Sequence, residues 1–138
     1  MYELLSSLPH TKVIVSGANI LQIGAHTRGL PIYKLAQNGN HAVDRTNTLL
    51  WKELFLADEI EAIQAHIDSV IKYLAHSIIV TNDMVYNHGG QVSLYLLKRD
   101  TDNSTKQKFD PDRIIRKQIL QAVPFVHNSV EVTVAGAT

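Results

Sequence analysis

Seven histidines stand in this chain of 138 residues: His10, His26, His41, His66, His76, His88 and His127. Histidine is the side chain best suited to bind a metal or to move a proton near neutral pH. No two of these are three or four residues apart, the spacing that sets two ligands on one helical face. His66 falls at the edge of an apolar helical stripe, where packing accounts for it, and His76 falls at that helix's end, where the dipole favours a cation. Asp100, Asp102 and Ser104 alternate as a calcium loop begins, but Thr105 stands where such a loop needs Gly and Pro111 where it needs Glu. Gly89-Gly90 joins two extended segments and opens no helix, so it is no phosphate cradle. Glu59 and Glu61 face different directions on a helix, which argues against a paired-carboxylate mechanism. No catalytic residue, metal ligand or cofactor-binding residue is therefore assigned, and no cofactor is expected. The enzymatic alternative is a hydrolase-like site assembled from loops by His26, His41 and Asp44.

The composition narrows the classes further. Thirteen Lys and Arg balance thirteen Asp and Glu, and 45 % of residues are apolar, as in an ordinary globular domain. The absence of cysteine removes thiolate metal sites, thiol nucleophiles and a disulfide scaffold. Zero net charge counts against a protein that chiefly neutralises phosphates or anionic lipid. Met1 to Pro9 carry Glu3 and no basic run, so no secretory leader is expected and a cytoplasmic site of synthesis is.

The elements that must position any site follow from periodicity. Residues 11–24 hold two β-branched runs around Ser16-Gly17-Ala18-Asn19 and predict a hairpin. Residues 24–46 read as an extended connection, with a loop from 37 to 47 and one short strand at 32–35. A helical turn is expected over 47–55. Ile60, Ile63, Ile67, Val70, Ile71 and Leu74 fall on one side of a helix over 58–75, with Asp58 as its N-cap and Glu61 completing a capping box. Strands follow within 78–98, Asn87-His88-Gly89-Gly90 being the turn. Residues 99–108 read as a polar loop. Asp110-Pro111 opens a second helix over 110–123 with Ile115, Ile119 and Ala122 inward. Pro124 stops it, and the alternation Val130-Glu131-Val132-Thr133-Val134 predicts a last strand over 129–134. The whole reads as a single α+β domain over 1–138, a small, mostly antiparallel sheet with two main amphipathic helices packed on it.

Charge is distributed unevenly along this frame. Glu53, Asp58, Glu59, Glu61 and Asp68 follow one another without an intervening Lys or Arg, whereas residues 98–117 hold Lys98, Arg99, Lys106, Lys108, Arg113, Arg116 and Lys117 against four acids. One acidic and one basic surface suit docking against copies of the chain or against other subunits. The candidate interaction residues are Arg113, Arg116, Lys117, Lys106 and Lys108, with Tyr95 and Leu97 on the second face of their strand. A nucleic-acid-binding module using 98–117 is the other alternative, against which the interleaved aspartates and the aromatic content of 7 % count.

The segment 47–98 resembles the sheath-initiator proteins of contractile phage tails and type VI secretion baseplates. The resemblance rests on Leu49, Leu50, Leu54 and Phe55, then the helix carrying Ile60, Ile67 and Ile71, then the alternation of Val92, Leu94 and Leu96. It implies a small α+β structural protein of a virion, without enzymatic activity. Its partners would be other structural proteins of the same assembly or copies of itself, with no membrane; nucleic acid is not the expected partner. Residues 91–98 and 130–134 are the strands expected to pair with neighbours.

Overall fold

The computed structural model describes residues 2–98 and 100–135. The fold is α+β, and its contacts divide into two compact units: Met1–Phe55 with Asn87–Gln91, and Leu56–Tyr86 with Val92–Thr138. The single domain read from the sequence is thus two clusters of contacts.

The first unit begins with α1 (Tyr2–Ser7) and builds a four-stranded sheet in the order β1 (Val13–Val15), β2 (Tyr33–Ala36), β3 (His41–Val43), β4 (Leu49–Lys52). β1 and β2 are parallel, with Val13 beside Tyr33 and Val15 beside Leu35; the other two pairings are antiparallel. Parallel strands cannot be joined by a tight turn. The connection is α2 (Ile20–His26), where the sequence suggested the second arm of a hairpin over 11–24. Asn19 explains the difference. Its Oδ1 accepts the Gln22 amide at 2.9 Å while Gln22 Oε1 accepts the Asn19 amide at 3.0 Å, a reciprocal cap that starts a helix. α2 packs on β2, and Ile23, Ile32, Ala36, Ala42 and Val43 are buried.

The stretch 24–46, expected to be mostly connection, is therefore the centre of this sheet. Gln37, Asn38 and Gly39 reverse the chain between β2 and β3 with φ of 52°, 57° and 105°. The helical turn expected over 47–55 is instead the strand β4. Asp44 accepts the amides of Thr46 at 2.7 Å and Thr48 at 2.9 Å, and Asn47 takes φ 66°, which folds the chain back onto β3. Gly90 closes the unit. Asn40 Nδ2 donates to its carbonyl at 2.6 Å, and a Cβ there would stand 2.3 Å from the Glu53 carbonyl oxygen.

In the second unit α3 (Ala57–Leu74) occupies nearly the span its periodicity predicts. Its cap lies two residues earlier than expected, at Leu56 and not Asp58: Glu59, not Glu61, reaches back, accepting the Leu56 amide at 2.8 Å. Ile67, Val70 and Leu74 are buried, whereas Ile60 remains 43 % exposed. The hairpin β5 (Val85–Asn87) and β6 (Val92–Leu94) is shorter than the strands expected over 78–98, and residues 78–80 join no ladder. Residues expected to be a loop form α4 (Asn103–Phe109). Asp102 caps it, accepting the Thr105 amide at 2.9 Å and the Ser104 hydroxyl at 2.7 Å, so the calcium-like spacing serves a helix start. α5 (Ile114–Ala122) follows a tight turn, Pro111–Arg113, so the second helix is regular over fewer residues than 110–123. Val70, Leu74 and Ile119 form the core of this unit, with Ile78, Val80, Leu94, Leu96, Ile115 and Val123 packed around it. Ala122, expected inward, is exposed. The last strand expected over 129–134 pairs with neither sheet among the described residues.

Gly90→Ala is expected to lower the unfolding free energy by about 1–3 kcal/mol, because backbone must move to admit the methyl group. Gly24→Ala, whose Cβ meets nothing within 4 Å and lies inside α2, should be neutral or stabilising by up to about 1 kcal/mol. Urea midpoints of the two variants check the contrast.

Candidate functional site

The basic residues chosen from the sequence have divergent fates. Lys108, Arg113 and Lys117 are exposed, Lys106 is half-buried, and Arg99 lies outside the described residues. Arg116 is not a surface residue at all: its side chain is 14 % exposed and its Nε lies 2.6 Å from Asp110 Oδ2. Its Nη1 also donates to the Ala135 carbonyl at 2.8 Å. Tyr95 and Leu97 are half-buried too. The Tyr95 ring meets Tyr86 edge-on at 5.3 Å, and its amide donates to the Met84 carbonyl, so this strand face is closed by its own hairpin. Tyr95 and Arg116 are thus engaged by contacts within the chain, and both remain half-buried, as does Leu97.

Asp110 is the partner that withdraws Arg116. Burial pushes its carboxyl up, but the Arg116 guanidinium and the amides of Ile115 and Arg116 outweigh that and leave it below the ordinary carboxylate range. The Ile115 amide donates at 2.7 Å, so the same carboxylate caps α5 from the far side of the Pro111–Arg113 turn. On α3 the exposed acids Asp58, Glu61 and Asp68 line the side opposite Ile67, Val70 and Leu74. Glu59 departs from them. It is buried and accepts the Ser129 hydroxyl, and that bond together with the Leu56 amide holds its carboxyl below the usual range.

A chain segment is pinned along α3 by these contacts. Phe125 lies between His66, 5.0 Å away, and His127, stacked at 6.2 Å. Ser129 then reaches Glu59 seven residues before His66, so residues 125–129 run antiparallel to the helix with alternate side chains turned to it. Serine, histidine and carboxylate meet here, the Ser129 hydroxyl standing 3.3 Å from His127 Nδ1. The Ser129 hydroxyl donates to a carboxylate that is a weaker base than usual, and His127 Nδ1 accepts from the Ser129 amide at 3.3 Å.

The loop-assembled alternative fares no better. His26 is exposed on the last turn of α2, and Asp44 spends its carboxylate on the Thr46 and Thr48 turn, which lowers its pKa. His41 pairs across the ladder with Lys52; burial and that lysine's charge lower its pKa. Among the described residues no group of three or more His, Asp and Glu could hold a metal. No helix among them is long and apolar enough to cross a membrane.

What the sequence reading missed is β4. It is the outer strand of the four-stranded sheet and all four of its residues are exposed, Leu49 at 56 %, Leu50 at 47 % and Trp51 at 44 %. Leu54, two residues beyond β4, is also exposed. Trp51 is oriented by its indole N–H, which donates to the Gly39 carbonyl at 2.8 Å. The three adjacent large apolar residues were the available signal. A run so short has no distinguishing period, so the same residues fit one side of a helical turn equally well. No family model matches this chain, and no curated protein matches it.

Arg116→Ala should cost about 3–5 kcal/mol at neutral pH, since it leaves a buried carboxylate without its cation. The stabilisation from a depressed carboxyl is complete above the unfolded value, about 3.9, and is lost as pH falls through the lower folded value. The stability gap between wild type and Arg116→Ala is thus expected to be constant above about pH 5 and to shrink below about pH 4, as read from urea titrations across that range.

Proposed function

We propose that this chain is a non-enzymatic assembly protein that docks on neighbouring subunits by strand pairing, as a structural component of a phage tail or baseplate. The observation that carries the reading is the bare outer edge of β4, an apolar strand exposed on both faces. Folded proteins protect such edges with charge, proline or a covering element, because an unpaired ladder recruits another chain. On β4 charge enters only at Lys52 and the ladder shifts register between Ala42 and Val43, while Leu49, Leu50 and Trp51 stay apolar and exposed; edge augmentation joins backbone hydrogen bonds to side-chain recognition. The resemblance of residues 47–98 to sheath-initiator proteins supports a contractile tail as the assembly served. The acidic side of α3 and the exposed Lys108, Arg113 and Lys117 offer charge for orienting partners, with contacts at the rim affecting encounter rate more than affinity.

In contractile particles containing the chain, the amides of residues 49–52 are expected to exchange with deuterium at least tenfold more slowly than in the isolated protein. A Leu50→Lys chain, folded as judged by circular dichroism, is expected to be left out of the particles. Equal exchange in the two states, or normal incorporation of Leu50→Lys, rejects the reading.

A further inference from the structure

One cation is buried inside the first unit without a counter-ion. Lys34 lies on β2 and is 2 % exposed, and among the described residues no carboxylate forms an ion pair with it. Lysine is rarely buried this far unpaired, because a lone ammonium in the interior is costly. Of its three N–H donors one has a partner among the described residues: Nζ lies 2.5 Å from Asn47 Oδ1. A carbonyl bond is about 1.2 Å long, so the amine stands within about 3.7 Å of the Asn47 carboxamide carbon.

Both groups are held in place by backbone. Lys34 sits between two strands, beside Ile14 of β1 and Val43 of β3. Asn47 is fixed by the Asp44 turn: its amide donates to the Asp44 carbonyl at 3.1 Å, and the flanking amides of Thr46 and Thr48 donate to Asp44 Oδ1. An amine and a carbonyl kept together need no encounter, and well-oriented intramolecular pairs react as if at about 10⁵ M or more.

We infer that Lys34 and Asn47 become joined by an isopeptide bond. Nζ adds to the carboxamide carbon, the bond from that carbon to Nδ2 breaks, and Nδ2 leaves as ammonia, which carries off the proton given up by the lysine ammonium. Nothing is oxidised or reduced, and no co-reactant is consumed. The product is a neutral secondary amide, so the uncompensated charge disappears from the interior. Asn47 is exposed, which lets water relay the proton and lets the ammonia escape. The bond closes a ring between positions thirteen residues apart that contains the reversal after β2 and the whole of β3. Like a disulfide, it would restrict the unfolded chain and keep β2 tied to the turn that leads into β4.

Mass spectrometry of the full-length protein tests this. The intact chain is expected to be lighter than its sequence by one ammonia. Trypsin acting on the denatured protein is expected to leave Lys34 uncut and to release a branched peptide joining residues 29–45 to 46–52. Lys34→Met and Asn47→Ala are each expected to keep the full mass of their sequences. Asn47 is exposed, so its variant serves as the control if Lys34→Met fails to fold. A wild-type chain of full mass that trypsin cuts after Lys34 overturns the inference. A chain that has lost ammonia but still yields residues 29–34 and 46–52 as separate peptides has cyclised elsewhere, and overturns it equally.

Discussion

One buried carboxylate organises the C-terminal third of the second unit. The chain enters α5 through Asp112 and Arg113, both left-handed with φ of 56° and 61°, a conformation that costs roughly 1 kcal/mol or more for each such residue. Asp110 over-determines that turn by accepting the Ile115 amide and the Arg116 Nε. With the turn held, Ile115 and Ile119 face Val70 and Leu74, and the far side of the Arg116 guanidinium reaches the Ala135 carbonyl. Helix start, core and tail therefore share one ion pair, which is why Arg116 cannot also serve as a surface contact.

Side chains, not a sheet, hold the tail. Glu59 binds Ser129, Arg116 binds Ala135, and between them the backbone of 130–134 has no partner among the described residues. Backbone groups left unpaired by their own chain must bond to water or to another chain. At β4 the same condition coincides with exposed leucines and a tryptophan, where water is the poorer choice for the side chains beside those groups. Polar clamps and open edges are thus two consequences of strands only three or four residues long.

What could be read in advance divides along the same line. α3 was legible because many apolar residues at helical spacing overwhelm local noise, and the Asn87–Gly90 reversal because Gly-Gly between extended runs has few other uses. The first sheet was not legible, because a three-residue strand has no measurable period and its inward side is chemically mixed. Lys34 sits 2 % exposed on β2 with its ammonium bonded to Asn47 Oδ1, a core position occupied by a charge. Ile20 to Ile23 looked like a strand by composition, and a local cap, Asn19 with Gln22, overrode the β-branched preference. The contacts of Tyr95 and Arg116 are tertiary: Tyr86 and Asp110 are identifiable as their partners only once the chain is folded.

The first unit also shows why an open edge suits an assembly role energetically. About 60 residues bury a core of small and medium side chains, Ala36 and Ala42 among them, with Lys34 and Gln37 also inside and the Gln37 Oε1 lacking a partner among the described residues. A domain of that size hides only about 60 % of the surface its unfolded chain exposes and is marginal by itself. Covering Leu49, Leu50 and Trp51 with a partner strand adds apolar burial without ordering any further part of this chain, because β4 is already held by β3. Binding to the folded form alone raises its stability with the logarithm of partner concentration once that exceeds Kd. The sheet is then most stable where neighbours are most concentrated, so folding of this unit and its incorporation reinforce one another.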